Sequence, residues 1–354
     1  MPRLDLNALT LWITAAATQH PGALATALMA RTGTSRAACR AALRRLVDMN
    51  WLTRGGTAQR PVYHPGLLRQ VVRRYPLAGL SEDLPWARDF APFVDLPREV
   101  ARMTQHAFGE LLNNAIDHSE GSHATVSLRQ TPSHVQLLVS DDGRGVFDKL
   151  QEAFDLGDPH AAMLELSKGK LTSQPARHTG RGLFFTARLA DVFDLHANAA
   201  AFQRRDEVAL HGSGWKAASR PMKRQGTSVF FGLALDTPRT LESVLNAHSA
   251  DGQGLGFECT SVPLRLMTSE LAGLESRAQA RRVAHRLAQF RRAEVDFSGV
   301  PHIGHSFADE LFRVLAPQHA AVELVPVNMA PQVGAMLAAV RDWLTPSPAG
   351  RGLG

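Results

Sequence analysis

The sequence contains few of the residues on which cross-linked or metal-bound small domains depend. Only two cysteines, Cys39 and Cys259, occur in 354 residues, far apart and without zinc-type spacing. We therefore expect neither a disulfide scaffold nor a cysteine-ligated metal, and a reducing cytoplasm suits the chain. No uncharged apolar run reaches the roughly 18 residues of a membrane span, and residues 1–5 do not resemble a signal peptide. The sequence predicts a cytoplasmic protein without membrane contact.

The chain has enough apolar residues for packed cores. Apolar side chains make up 44% of the sequence and charged ones 20%, which excludes a disordered or collagen-like chain. The length suits two or three domains.

Positive charge is concentrated at one end of the chain. The overall net charge is +6, but residues 1–75 carry eleven arginines and only two acids, a net charge of +9, and the remainder has a net charge of −3. This distribution is typical of a protein in which one module binds a polyanion and the other modules do not.

The basic segment has the pattern of two helices joined by a turn. A short apolar helix at 23–30 is followed by a turn at 32–34, and Ser35 is a suitable N-cap for a second helix extending to about Asn50. The predicted buried stripe of this second helix consists of Ala38, Ala42, Leu46 and Met49. The arginines predicted on another face are Arg36, Arg40 and Arg44, with Arg45 beside them.

Two short strands are expected to follow the second helix. Residues 51–53 and 61–64 can pair around the loop 54–60, and the first 65 residues then resemble a winged helix-turn-helix domain. This resemblance implies double-stranded DNA as the partner, with the helix arginines at its phosphates. The alternative is a solvated arginine face on a small bundle that contacts another protein.

The middle of the chain contains four short polar or glycine-rich motifs. Glu110 and Asn114 are four residues apart and share a helix face, where a carboxylate and a carboxamide can hold Mg²⁺ and orient a water or hydroxyl group. A buried strand at 135–140 leads into a turn with Asp141, Gly143 and Gly145. The remaining two motifs are Gly180, Gly182 and Leu183 before an apolar helix, and Gly226 and Thr227 at the start of a strand.

The order and spacing of these motifs resemble the N, G1, G2 and G3 boxes of the GHKL ATPase superfamily. The superfamily includes gyrase, heat-shock chaperone, histidine kinase and mismatch-repair ATPases, and the resemblance extends over about 98–236. Within it, the runs 110–119 and 180–191 are most similar to bacterial anti-sigma-factor serine kinases. The resemblance implies a Bergerat-type α/β sandwich with ATP and Mg²⁺ as cofactors.

The resemblance also implies a role for each motif residue. Glu110 is implied as the general base, either for ATP hydrolysis or for serine phosphorylation, and Asn114 as the Mg²⁺ ligand. The implied ATP-binding residues are Asp141 at the adenine amino group, Gly143 and Gly145 at the base, Gly180, Gly182 and Leu183 at the phosphates, and Thr227 at the adenine pocket. Residues 150–177 are expected to form a mobile lid, in which Lys168 and Lys170 either reach the γ-phosphate or lie in solvent; the role of His178 stays open.

The C-terminal segment has the pattern of a small α/β layer. We expect a helix at 269–290, strands at 293–297 and 321–327, and a last helix at 331–343. The segment resembles a STAS-like domain of unknown function and, more distantly, the anti-sigma-factor antagonists. That likeness implies Ser306 as a phosphoacceptor, whereas the simpler interpretation is that Ser306 is a helix N-cap. Asp309 and Glu310 then either form a catalytic pair or stabilise the first turn of that helix.

Together these features predict an α/β multi-domain protein. The predicted parts are a winged helix (1–75), a linker (76–97), a GHKL domain (98–236), a second linker (237–256), a STAS-like domain (257–344) and a disordered tail (345–354). The expected function is a DNA-binding regulator controlled by Mg-ATP, with slow ATPase or serine kinase activity. The alternative is a non-catalytic, nucleotide-dependent interaction module. A regulatory protein partner and pairing of two copies both remain open.

Overall fold

The computed structural model describes residues 4–81, 83–172, 179–205, 215–217, 224–254, 256–268, 273–318 and 321–342. These residues divide into two compact units, Met1–Gly145 with Arg224–Pro238, and Val146–Lys223 with Arg239–Gly354. The predicted tail (345–354) and His178 lie outside the described residues.

The helices of the described residues range from one turn to six turns. In chain order they are α1 (Leu6–Thr10), α2 (Ile13–Gln19), α3 (Leu24–Thr32), α4 (Arg36–Asp48), α5 (Asp83–Pro85), α6 (Arg98–His118), α7 (Val146–Phe154), α8 (Pro159–Lys168), α9 (Gly182–Leu189), α10 (Leu241–Asn246), α11 (Arg277–Ala284), α12 (His305–Ala308), α13 (Ala316–Gln318) and α14 (Pro331–Asp342). Short 3₁₀ or π-helical turns occupy Trp86–Phe90, Ala91–Phe93, Leu264–Met267, Leu287–Gln289 and Asp309–Leu315.

The strands are mostly short. In chain order they are β1 (Leu52–Gly56), β2 (Pro61–Pro65), β3 (Arg69–Pro76), β4 (His123–Gln130), β5 (His134–Asp141), β6 (Val192–Asn198), β7 (Ala200–Arg205), β8 (Lys216–Ala217), β9 (Arg224–Ala234), β10 (Cys259–Pro263), β11 (Arg292–Asp296) and β12 (Glu323–Val327).

The first unit begins with four helices and a hairpin that share one apolar core. The Ser35 side chain accepts a hydrogen bond from the amide of Ala38, so Ser35 is the N-cap of α4 as predicted. Gly33 ends α3 in the left-handed conformation. β1 and β2 pair antiparallel with Gly56 opposite Pro61, which confirms the predicted pairing.

The buried stripe of α4 differs from the prediction. Ala42 and Leu46 are buried as expected, together with Cys39, Leu43 and the hairpin residue Tyr63. Of the other two predicted members, Ala38 is only half-buried, and Met49 is exposed because it follows the last residue of the helix. Cysteine is among the most buried residue types, and Cys39 joins this core while its Sγ atom lies within hydrogen-bond distance of the Thr34 hydroxyl, at 3.2 Å.

Four antiparallel strands complete the first unit, in the order β3-β4-β5-β9. The last residues of the basic segment, for which no strand was predicted, form β3. Val71 and Tyr75 lie on the same face of β3 and are buried, opposite Leu128 and Ala124 of β4. β-branched and aromatic side chains fit such a half-buried strand better than a helix.

The residues expected to form the first linker are packed into this unit. Trp86 and Phe90 are buried, with ring centroids 5.4 and 5.2 Å from that of Phe108 on α6. The prolines prevent a long helix here, as predicted, but one-turn helices are enough to carry large side chains into the core.

The second unit contains two groups of strands. β6, β7 and β8 pair antiparallel in sequence, and β10, β11 and β12 form a parallel sheet in that order. The connections between the parallel strands contain α11, α12 and α13, as parallel pairing requires. The residues expected to form the second linker contain α10, which begins with a capping box at Thr240.

Several details of the C-terminal prediction need correction. The expected helix at 269–290 is shorter: residues 269–272 lie outside the described residues, and α11 spans Arg277–Ala284. Ser306 is the second residue of α12, whose N-cap is Gly304, so the interpretation of Ser306 as the N-cap was wrong.

Asp309 and Glu310 do not lie in the first turn of that helix, and both are engaged in ion pairs. Asp309 binds Arg313 one turn later, and Glu310 accepts a 2.8 Å hydrogen bond from Nε of Arg281 on α11.

Among the described residues, no helix combines the length and apolar character that crossing a bilayer requires.

Candidate nucleotide site

Helix α6 presents three polar side chains at intervals of four residues. His106, Glu110 and Asn114 are half-buried beside the fully buried face of the helix, which packs on β5 and β9. The helix therefore holds the predicted base and the predicted Mg²⁺ ligand on one face, as their spacing indicated.

The Asn114 carboxamide has capacity to bind a ligand. Its Nδ2 atom is buried and has no hydrogen-bond partner among the described residues. Buried polar atoms in folded proteins are usually paired, so such an atom requires an explanation. The Mg²⁺ ligand of an asparagine is its Oδ1 atom, and an amide without a fixed partner can turn that oxygen toward an ion.

Sequence reasoning missed His106. Burial lowers the pKa of His106, and the negative charge of Glu110 opposes this shift. The His106 Nε2 atom is also buried without a hydrogen-bond partner among the described residues. The signal was present in the sequence, since His106 precedes Glu110 by one helical turn.

Asp141 ends β5 beside the start of β9. Ser140 and Ser228 face each other in the pairing of these strands, and the Ser140 hydroxyl donates a 2.8 Å hydrogen bond to the Ser228 hydroxyl. The Asp141 Oδ1 atom accepts hydrogen bonds from the amides of Gly143 and Thr227, both at 3.0 Å. The structure thus brings together three of the predicted adenine-site residues.

The Asp141 carboxylate is buried, and only one of its two oxygens accepts hydrogen bonds from the described residues. Burial raises its pKa, although the amides of Thr227 and Gly143 lower it in part. Both of these amides bind Oδ1, and Oδ2 accepts no hydrogen bond from the described residues. A buried carboxylate with one oxygen still available fits an amino group supplied by a ligand.

The backbone is crowded on both sides of Asp141. A Cβ atom on Gly143 would lie 2.1 Å from the carbonyl oxygen of Ser119, and one on Gly226 would lie 2.2 Å from the carbonyl oxygen of Asp141. Gly226 also has a φ of +88°, a conformation that favours glycine. Only glycine allows the chain to close this tightly around the carboxylate.

The neighbouring Asp142 has a different environment. It is exposed, and its Oδ1 atom accepts hydrogen bonds from the amides of Ser122 and His123 at 2.7 and 2.8 Å. Hydrogen bonds from His123 and Ser122 lower the pKa of Asp142 to about 2. Asp142 therefore ties the motif loop to the start of β4 and leaves Asp141 as the buried acceptor.

The second glycine motif lies in the second unit. Gly180 has a φ of +64° and packs against the backbone of Leu171, Gly182 begins α9, and Leu183 follows it. Arg181 between the glycines was missed by sequence reasoning. Its Nε atom is buried without a hydrogen-bond partner among the described residues.

The segment predicted as a lid contains α7 and α8. Lys168 at the end of α8 is fully buried, and its Nζ atom donates to Oε1 of Glu165 at 2.6 Å and to the carbonyl oxygens of Arg282 and His285 at 2.9 Å. Lys170 donates to the carbonyl oxygen of Gln289 at 2.6 Å. Both lysines are therefore bound to the C-terminal part of the chain, and neither suggested role, a phosphate contact or a solvated loop position, fits Lys168.

The four predicted DNA-contacting arginines, Arg36, Arg40, Arg44 and Arg45, are all exposed on α4. No carboxylate of the described residues forms an ion pair with any of them. In contrast, Arg88 and Arg313 each form an ion pair with an aspartate. Their charge is therefore available to an external anion.

Comparison with known families accounts for two parts of the chain. Residues 79–202 match the model of the histidine kinase-like ATPase domain, and residues 279–333 match that of a STAS-like domain of unknown function. No curated protein matches the chain. The GHKL-type ATPase and STAS-like parts of the prediction are confirmed, and the chain contains an ATP-binding type of domain. The first match includes Glu110 through Leu183 and ends before Thr227.

Proposed function

We propose that the chain is a DNA-binding regulator whose state is set by Mg-ATP. The observation that carries this proposal is the Asp141 carboxylate, with one oxygen bound by two amides and the other available, inside a histidine kinase-like ATPase domain. A buried carboxylate of this kind suits a ligand with an exocyclic amino group, such as adenine.

The residues at this site fit the adenine end of ATP. Oδ2 of Asp141 would accept the adenine amino group, and Gly143, Gly145 and Thr227 would form the walls of the base pocket. Since Oδ1 is already fixed by two amides, the carboxylate is oriented before the ligand arrives, which reduces the entropic cost of binding.

For the phosphates, the proposal uses Asn114 as the Mg²⁺ ligand and Gly180, Gly182 and Leu183 as sources of backbone amides at the start of α9. Amides at a helix N-terminus bind phosphate because they lack partners within the helix. When bound, Mg²⁺ supplies positive charge that neutralises the phosphate oxygens.

Glu110 is the proposed general base. It would accept the proton of a water or a serine hydroxyl as that oxygen bonds to the terminal phosphorus of ATP and the bond from phosphorus to ADP breaks. His106 lies one turn before it and would contact its carboxylate. Water as the acceptor gives an ATPase, and a serine, with Ser306 exposed on α12 as one candidate, gives a protein kinase.

Isothermal titration with Mg-ATP tests the nucleotide site. Asp141→Asn is expected to abolish saturable binding, whereas Asp142→Asn, which retains an oxygen for the Ser122 and His123 amides, should bind as the wild type does. Glu110→Ala should bind ATP and lose turnover. Equal ATP affinity in Asp141→Asn would remove the site assignment, and equal turnover in Glu110→Ala would exclude the base.

Incubation with γ-labelled ATP separates the two activities. Label released as phosphate indicates an ATPase, and label retained on the protein and mapped to a serine indicates a kinase. Loss of label on Ser306→Ala would identify that serine as the acceptor, and unchanged labelling would exclude it.

The N-terminal helices and hairpin support the DNA-binding part of the proposal. The module has the helices and the antiparallel hairpin that a winged helix-turn-helix domain requires, and α4 displays four exposed arginines without carboxylate partners in the described part of the chain. We expect binding to duplex DNA that weakens steeply with salt, because each phosphate contact releases counterions.

Double substitution of Arg40 and Arg44 by glutamine tests this surface. The slope of log affinity against log salt should fall by about 2, because each of the two arginines would neutralise one phosphate. Arg88→Gln, which alters an exposed arginine elsewhere in the first unit, is the control and should leave the slope unchanged. Absence of DNA binding at low salt would favour the alternative, a nucleotide-dependent module that contacts another protein.

The buried contacts of α8 suggest how nucleotide could influence the C-terminal part. Glu165 and Lys168 of α8 are joined to Arg286 and to carbonyl oxygens at the end of α11 within one compact unit. If α8 belongs to the lid, a movement of the lid on ATP binding would change these contacts with the STAS-like segment. Such a coupling needs different contacts in the two nucleotide states.

A further inference from the structure

A cavity of about 390 Å³ lies inside the second unit. It is lined by Arg188 of α9, Arg204 of β7, Arg239 before α10, His248 and Trp215, and no aspartate or glutamate of the described residues lines it. The volume lies within the range of natural small-molecule sites. None of the proposed nucleotide-binding residues lines this cavity.

Arg188 is one of the three arginines that line this cavity. Its Nη1 atom donates to the carbonyl oxygen of Phe184 at 3.3 Å, and its guanidinium carbon lies 3.3 Å from the centroid of the Phe184 ring. Among the described residues it forms no ion pair. Burial and the neighbouring Arg204 lower the pKa of Arg188, and Glu294, the carboxylate that opposes this shift, is itself 3.5 Å from Arg292.

Two further arginines are fixed at the cavity wall. Arg204 Nη1 donates to the carbonyl oxygens of Ala187 and Ala190 at 2.9 and 3.1 Å, which holds it at the C-terminal end of α9. Arg239 forms an ion pair with Asp191. The Asp191 carboxylate thus offsets part of the positive charge that the three guanidinium groups bring to the cavity.

The remaining lining residues add no positive charge. Burial, followed by the charge of Arg188, lowers the pKa of His248 to about 3, so this ring is neutral at pH 7. Its Nδ1 lies 3.0 Å from the carbonyl oxygen of Cys259, which only accepts hydrogen bonds, so Nδ1 carries the proton. Ser243 and Ser261 place hydroxyl groups at the cavity, and the buried Trp215 closes one side.

We propose that this cavity binds a small phosphorylated molecule through its phosphate group. Guanidinium groups bind phosphate oxygens with two parallel hydrogen bonds, and a dianion would compensate the charge that Arg188 and its neighbours concentrate there. The Ser261 hydroxyl would donate to a remaining oxygen, and the indole ring would contact the organic part of the ligand.

Calorimetric titration of the full chain with inorganic phosphate, at constant ionic strength with chloride as the reference anion, tests this proposal. Arg188→Met should weaken phosphate binding at least about tenfold, since this variant cannot form the charged hydrogen bonds of the guanidinium group. Arg291→Met, an exposed arginine of the same unit, should bind as the wild type does. Phosphate should also raise the Tm of the wild type but not that of Arg188→Met.

Two more variants keep the result interpretable. Ser261→Asp places a carboxylate at the lining, beside the arginines. This negative charge should compensate the arginines, so that the variant folds, and should repel phosphate, so that none binds. The variant is therefore informative even if Arg188→Met fails to fold. Asn114→Ala, which alters the proposed nucleotide site, should retain phosphate binding. The proposal is overturned if the wild type binds no phosphate, if Arg188→Met and Ser261→Asp bind it normally, or if binding is abolished in Asn114→Ala instead.

Discussion

The buried charges of α8 give the sharpest stability prediction. Lys168, Glu165 and Arg286 retain only 0%, 5% and 11% of their side-chain exposure, and the carboxylate of Glu165 accepts hydrogen bonds from both cations at 2.6 and 2.9 Å. Burial opposes ionisation of Glu165, but Lys168 and Arg286 lower its pKa, so it is ionised at pH 7. Glu165→Gln removes the negative charge that these two cations share and leaves them facing each other in the interior.

The expected cost follows from the state of Lys168. Breaking a buried ion pair by removing one partner typically costs about 3–5 kcal/mol. Burial already lowers the pKa of Lys168 to about 8 while Glu165 is present. Without Glu165 we expect Lys168 to lose its proton in the folded state at pH 7, although it remains protonated in the unfolded state, where its pKa is about 10.4.

This difference gives the variant a distinctive pH dependence. Since the unfolded state then binds one more proton than the folded state, the free energy of unfolding should rise with pH by about 1.4 kcal/mol per unit between pH 7 and 8. In the wild type the pKa of Lys168 is about 8. Its free energy of unfolding should therefore rise by only a fraction of this amount between pH 7 and 8.

Urea unfolding followed by tryptophan fluorescence and circular dichroism measures both effects. Glu323→Gln, which removes a mostly exposed carboxylate of the same unit, is the control, and we expect a change within about 0.5 kcal/mol. A cost below about 1 kcal/mol for Glu165→Gln, with no added pH dependence, would refute the reasoning.

Three further predictions follow from single contacts. Ser35→Ala should lower the free energy of unfolding by about 1 kcal/mol, since the Ala38 amide loses its cap, as measured by urea unfolding. Because the pKa of His248 is lowered to about 3, the wild type should lose about 1.4 kcal/mol of stability per pH unit below pH ~6.5, and His248→Gln should flatten this dependence. Gly143→Ala should weaken ATP binding, measured by calorimetry, because its methyl group would displace the backbone at Ser119.

Each of these predictions has its own control. Ser35→Asp keeps a capping oxygen and should restore the stability that Ser35→Ala removes. If His248→Gln loses as much stability below pH ~6.5 as the wild type does, titration of His248 does not cause this loss and the prediction is wrong. Gly157→Ala adds a methyl group where no atom lies within 4 Å, so a loss of ATP binding in that variant as large as in Gly143→Ala would contradict the crowding argument.

The local patterns of the sequence were sufficient to predict the helix and the loop that form the candidate nucleotide site. The spacing of Glu110 and Asn114 placed both on one face of α6, and the glycines around Asp141 indicated a tight loop after β5. These features depend on helix period and backbone sterics, which neighbouring residues determine.

Features that depend on distant parts of the chain were not predicted. Lys168 appeared to be a loop lysine because its carbonyl partners, at Arg282 and His285, lie more than one hundred residues later. β3 was missed for the same reason, since its partner strand begins at His123. Ser306 was expected to be a helix N-cap, but the helix already begins at His305, with Gly304 as its cap.

The affinity ratio of ATP to GTP tests the central claim most directly. If the free oxygen of Asp141 accepts the adenine amino group, GTP, which presents a carbonyl oxygen there, should bind the wild type at least about a hundredfold more weakly. Asp141→Asn should no longer bind ATP, and its amide can donate to that carbonyl, so this variant should bind GTP in preference to ATP. Equal affinities of the wild-type chain for ATP and GTP, or a preference unchanged in Asp141→Asn, would contradict the account.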